Sequence, residues 1–129
     1  MTLNFQTQTL EFDTRPWGSY LVLDSGLKYK IKKILVKPGG QLSYQYHEYR
    51  DETWIILEGT GVVRIGALDS IASEGMQFNI AALQSHSISN KSKTNNLIFL
   101  EIATSKDDNG VQEDDIIRLE DKYGRADND

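Results

Sequence analysis

The sequence predicts an all-β domain, a sandwich or a barrel, on three observations. Short segments rich in β-branched and aromatic residues recur at close intervals, Gly, Asn, Asp and Ser clusters separate them, and helical periodicity is scarce. In chain order the candidate strands are YLVL (20–23), YKIKKILVK (29–37), LSYQYHEY (42–49), TWIILEG (53–59), GVVRIG (61–66), MQFNI (76–80), HSISN (86–90) and LIFLEIA (97–103). RPWG at 15–18 reads as a turn, Pro16 fixing the backbone and Gly18 permitting a tight bend. Near the end, VQEDDIIRLEDKYG sets Ile116, Ile117 and Leu119 on one short apolar face, so a short helix is expected there, with the acidic run 113–115 capping its N-terminus.

Residues 1–10 are polar and alternate weakly, as an edge strand, a swapped arm or a loose tail would, and the final ADND is expected to be disordered. No repeat or low-complexity linker interrupts residues 11–125, which are therefore expected to form a single domain. A chain of 129 residues buries roughly two-thirds of its unfolded surface, enough for one core. With 39% apolar and 26% charged residues it has the composition of a globular protein. A formal charge of −5 without a basic stripe argues against a nucleic-acid partner. No run approaches the ~18 apolar residues that span a bilayer, and no leader pattern opens the chain, so no membrane partner and a cytoplasmic location are expected.

Without cysteine, any metal must sit on His, carboxylate and amide ligands. Gln45 and His47 are two apart and share a strand face, Glu52 lies beyond a short reversal, and His86, the other histidine, opens another candidate strand. Two nitrogen and two oxygen donors suit one divalent ion, Zn²⁺ first, with Mn²⁺, Co²⁺, Ni²⁺ or Fe²⁺ as alternatives. Taken alone the Gln-x-His pair is a weak signal, since a strand histidine is more often a satisfied or surface residue.

The wider spacing adds to it. Gly39-x5-Gln45-x-His47-x4-Glu52-x6-Gly59 resembles the first motif of the cupin superfamily, with Gln45 at its usual first His. Gly75-x5-Ala81-x-Leu83-x2-His86-x3-Asn90 resembles the second, with Ala81 and Leu83 at the usual Pro and Gly. Within that superfamily RPWGSYLVL (15–23), residues 29–61 and EDDIIRLEDKYGR (113–125) resemble the C-terminal isomerase domain of type II phosphomannose isomerase/mannose-1-phosphate guanylyltransferase. The resemblance covers about residues 11–125 and implies a double-stranded β-helix, a jelly-roll barrel, expected to pair as a homodimer as cupins commonly do. It also implies the Gln45, His47, Glu52, His86 ligand set. The Gly-rich nucleotide loop of the guanylyltransferase domain is not found in these residues, so that activity is not expected of them. His47, Glu48 and Tyr49 stand where the family usually has a run of histidines, and Thr53 replaces another.

The function implied is a metal-dependent sugar-phosphate isomerase interconverting mannose 6-phosphate and fructose 6-phosphate. Glu48, Tyr49 or a lysine with a lowered pKa is the candidate proton carrier, Arg118 with Lys30 or Lys32 the phosphate anchors, and Trp54 a platform for the sugar face. Each has a structural alternative. The lysines can be solvated strand charges, Trp54 can be core, and Arg118 can pair with Asp121. The competing function is a cupin that binds a sugar or sugar phosphate without turnover.

Overall fold

The computed structural model describes residues 11–125 as eleven strands in two antiparallel sheets. The strands are β1 (Phe12–Arg15), β2 (Gly18–Ser25), β3 (Tyr29–Val36), β4 (Tyr44–Tyr46), β5 (Arg50–Glu58), β6 (Gly61–Ile65), β7 (Leu68–Ala72), β8 (Gln77–Ile80), β9 (His86–Ser89), β10 (Leu97–Ser105) and β11 (Ile117–Glu120). One sheet has the order β1-β2-β3-β10-β5-β8 and the other β11-β4-β9-β6-β7. Both line one interior, the jelly-roll arrangement expected. No helix is long and apolar enough to cross a membrane among the described residues. The arm 1–10 and the tail 126–129 lie outside them.

The expected C-terminal helix is not formed. Ile117, Arg118 and Glu120 pair with β4, and the acidic run before them forms a turn whose carboxylates bind other parts of the fold instead of capping a helix. Three or four apolar residues are too few to hold an isolated helical turn, whereas β-branched Ile116 and Ile117 suit an extended chain beside an open strand edge. RPWG does form the turn between β1 and β2.

Side-chain alternation divides the interior into two ends. On β5 the inward residues run Arg50, Glu52, Trp54, Ile56, on β10 Leu97, Phe99, Glu101, Ala103, and on β3 Lys32, Ile34, Val36. Register aligns like with like: Phe99 lies opposite Ile34 and Ile56, and Leu97 opposite Val36, while Glu101 lies opposite Lys32. One end is therefore a core of Phe99, Leu97, Trp54, Ile56, Val63 and Ile88. Each such side chain contributes roughly 1.5–3 kcal/mol by burial. The other end is a buried polar chamber.

Two turn positions show how the motifs set the strands. Gly59 has φ +87°, and a Cβ there would stand 2.5 Å from the Asn96 carbonyl oxygen, so only glycine lets the β5–β6 turn close. Leu83 occupies the same left-handed region at φ 71°. Its amide donates to the His47 carbonyl oxygen at 2.7 Å, which fixes the segment leading into His86. A left-handed non-glycine residue costs about 1–2 kcal/mol, and extra unfolded-state freedom of glycine returns about 0.5–1 kcal/mol of any relief. Because Leu83 is 66% exposed, little burial would be lost. Leu83→Gly is expected to raise stability by about 0.5–1 kcal/mol, read as a higher urea midpoint with unchanged slope. An unchanged or lower midpoint would show that the conformation is not strained.

Candidate metal centre and its cavity

His47 follows β4, Glu52 is in β5, and His86 opens β9, and their donor atoms lie within 4.8 Å of one another. That spread is close to the separation of opposite ligands around a first-row ion with bonds of about 2.0–2.2 Å. All three side chains are buried.

Hydrogen bonds orient both imidazoles toward Glu52. His47 Nδ1 lies 2.6 Å from the Asp115 carbonyl oxygen and His86 Nδ1 lies 2.9 Å from that of Gln84. A carbonyl oxygen only accepts, so each Nδ1 carries the proton; this assigns the tautomer and leaves each Nε2 with an inward lone pair. Burial first, and the His47 ring beside it, lower the His86 pKa against the opposing pull of Glu52, favouring the neutral, ligating form.

The centre is short of cations. His47 Nε2 sits 3.1 Å from Glu52 Oε2 and also 3.1 Å from Arg50 Nη2. If His47 Nε2 is bare it faces a carboxylate oxygen, and if it is protonated it faces the Arg50 donor; one contact is unfavourable in either state. His86 Nε2 and Glu52 Oε2 are buried without a hydrogen-bond partner. Arg50 Nε does approach Glu52 Oε2 to 2.9 Å, but out of line for a hydrogen bond, so the ion pair leaves both atoms unsatisfied. Such orphaned acceptors fit a bound divalent ion, which would take up both lone pairs.

Glu52 is the hub. Trp54 Nε1 donates to its Oε1 at 2.9 Å, and His86 Nε2 is 3.8 Å from the same oxygen. Burial alone would raise its pKa, but the close approach of His47 and the Arg50 charge hold the carboxyl well below its ordinary range. Gln45 is buried opposite His86 in the β4–β9 register, with its Oε1 accepting from Ser43 Oγ at 2.7 Å. An amide oxygen retains a second lone pair for a metal.

Beside the centre lies a cavity of about 90 Å³. Arg15, Lys32, Arg50, Arg118 and Arg125 line it, against two carboxyls, Glu101 and Glu113. In a chain of net charge −5, this concentration of cations marks a place for an anion. Glu101 is buried beside Glu52, and burial first, then the Glu52 charge, push its pKa up to about 8. At neutral pH it therefore holds a proton inside a cationic cavity.

The sequence-derived residues fall into distinct places. His47, Glu52 and His86 come together, while Gln45 lies opposite His86 in the β4–β9 register and lines the adjoining cavity. Lys32 and Arg118 line the adjoining cavity, and Lys30 joins Lys32 through Glu113. Asp121 pairs with Arg125 at 2.7 Å, not with Arg118. Trp54 is 0% exposed, tilted against Phe99 and edge-on to His86, so no face is open to a sugar; its place is the core. Glu48 and Tyr49 line a second, acidic cavity with Asp107, Asp114 and Asp115, which meets the cationic one at Ile116.

Sequence reasoning passed over Arg50, Glu101, Glu113 and Asp115. Arg50 is in phase with Glu52 and Trp54 on one strand, and Glu101 is the single charge inside the apolar run LIFLEIA; both were readable signals. Glu113 and Asp115 act across long loops, with no local signature.

Residues 5–121 match the family of mannose-6-phosphate isomerase C-terminal domains. Mannose-1-phosphate guanylyltransferase ManC of Salmonella typhimurium is 37% identical over 87% of this chain and 22% of its own length. Alginate biosynthesis protein AlgA of Pseudomonas aeruginosa is 40% identical over 87% of this chain and again 22% of its own length. The chain thus spans less than a quarter of these curated relatives. Among solved structures, the cupin-2 domain Rru_A2000 of Rhodospirillum rubrum superposes with a TM-score of 0.66 at 20% identity, covering 88% of this chain and 86% of that one. Sequence match, two-sheet barrel and polar chamber agree: the chain belongs to the family of mannose-6-phosphate isomerase C-terminal domains and has the cupin fold.

Proposed function

We propose that this domain is a metal-dependent aldose–ketose isomerase acting on a phosphorylated sugar, in the manner of mannose 6-phosphate to fructose 6-phosphate. The observation that carries the reading is the juxtaposition of the His47, Glu52, His86 cluster with a cavity rich in Lys and Arg. Family membership supports it.

His47, Glu52 and His86, with Gln45, would hold one divalent ion, Zn²⁺ or Mn²⁺, Co²⁺, Ni²⁺ or Fe²⁺, whose Lewis acidity polarises a sugar carbonyl and steadies the enediol oxyanion. The chain's own groups do the rest. Lys32 and Arg118 bind and orient the phosphate, and Arg50 presents N–H donors to the sugar oxygens. Glu101, buried and protonated near neutral pH, is placed to exchange a proton with the adjacent sugar carbons, a role for which Glu48 and Tyr49 are poorly situated.

The test is interconversion of mannose 6-phosphate and fructose 6-phosphate, followed by NMR in D2O with each divalent ion supplied in turn. Product formation that depends on metal is the expected result. One observation favours a second reading: the Arg50 guanidinium already contacts His47 Nε2, so a cation of the chain stands against the ligand face. Saturable binding of the sugar phosphates with no turnover under any metal would replace the isomerase with a binding cupin.

A further inference from the structure

Residues 106–116, between β10 and β11, form a strap across the cavity mouth that is tied at both ends of the site. At the inner end the Asp115 carbonyl oxygen accepts from His47 Nδ1, while the Asp115 carboxylate accepts from the Glu48 and Tyr49 amides at 2.9 and 3.0 Å. At the outer end Glu113 presents one oxygen to Lys30 Nζ at 2.8 Å and the other to Lys32 Nζ at 2.6 Å. A carboxylate with each oxygen on a separate ammonium is a short, charge-assisted arrangement. Two oxygens of a phosphomonoester reproduce it with more charge.

The environment makes this contact exchangeable. The Lys32 side chain is 8% exposed, so an anion must accompany it, whereas that of Glu113 is 41% exposed and has water to move into once another anion takes over the lysine contacts that hold its pKa at about 2. Lys32 also lies over the Tyr20 ring at 4.3 Å, which fixes the ammonium without satisfying its charge. Gly110, at φ +77°, gives the strap a glycine position about which to swing.

We propose that Lys30 and Lys32 form a phosphomonoester-binding site at the mouth of the metal cavity, that Glu113 fills this site in the ligand-free protein, and that the ligand enters by exchanging with Glu113 and releasing the strap. The proposal rests on reading the cavity as a sugar-phosphate site, and it makes Glu113 an internal competitor of the substrate's anion. Removing its charge therefore strengthens anion binding, whereas a purely structural tie would weaken or leave unaltered the affinity once cut.

The experiment is calorimetric titration of the chelator-treated full chain with inorganic phosphate, which then has no metal to ligate. Glu113→Gln, which keeps the side-chain shape, is expected to bind phosphate on the order of tenfold more tightly than the parent. Lys32→Gln is expected to weaken binding by at least about tenfold. Circular dichroism and a cooperative unfolding transition confirm that each variant is folded. Unchanged or weaker binding by Glu113→Gln overturns the proposal, as does parental affinity in Lys32→Gln. Because no turnover is measured, a failed isomerase assay alongside the expected affinity shifts would remove the isomerase and leave the anion site.

Discussion

His86→Ala is expected to reduce bound divalent metal from about one ion per chain to almost none, measured by elemental analysis after supplementation and desalting. Three of the proposed ligands come from separate strands or loops, and His86 supplies a buried Nε2 that no group among the described residues satisfies. Its removal leaves Glu52 and His47 facing Arg50, an arrangement already in conflict at His47 Nε2. The loss also has a stability readout. An ion that binds only the folded state raises stability by about 2.7 kcal/mol at one hundred times its dissociation constant, so the parent should melt higher with metal than with chelator. His86→Ala should melt at one temperature in both. The ring packs 5.4 Å from Trp54, so truncation will cost core stability too, and the comparison is the metal-dependent difference within each protein. A variant that still binds one ion per chain would remove His86 from the ligand set.

The sequence displayed the barrel better than its decoration. Strands β2 to β6 and β8 to β10 coincide with segments rich in β-branched and aromatic residues, because such side chains suit the pleated surface that packs on a core. β1, β7 and β11 were missed for the opposite reason: FDTR, LDSIA and IRLE are short or edge strands whose side chains are mostly exposed, so no core enforces a pattern. The candidate metal ligands were legible because His47 and Glu52 lie five residues apart, across the crossing from β4 in one sheet to β5 in the other, and the chain has only one histidine more. The proton carrier proposed here, Glu101, was not, because it lies far from either histidine in the sequence. Glu101 reaches the centre from a strand that pairs with both β3 and β5, and such a neighbour is visible only once the register places Ala103 opposite Glu52 and Glu101 opposite Lys32.

Glu101→Gln is expected to lower metal-dependent isomerisation by about 10²–10⁴-fold, the usual contribution of a positioned acid or base, while leaving bound metal near the parental level. It should also change how stability depends on pH, and the sign follows from proton counts. Glu101 titrates at about 8 in the folded chain and near its ordinary 4.5 when unfolded. Between those values the folded state holds a proton that the unfolded state has released, so this group makes the metal-free protein less stable as pH rises through that window and contributes no further slope above it. Glu52 and Glu113 act in the opposite sense: their depressed pKa values, about 2 for Glu113, give stability that is present above about 4.5 and lost as pH falls below it. Glutamine keeps the neutral shape and removes only the titration. In melting curves of the chelator-treated proteins, the stability of the parent relative to Glu101→Gln should fall from pH 5 to 8, a difference to which the opposing His86 titration does not contribute, while the acid-side loss persists in both. Parental turnover together with a parental slope would mean that Glu101 is ionised in its chamber at neutral pH and carries no proton for the reaction.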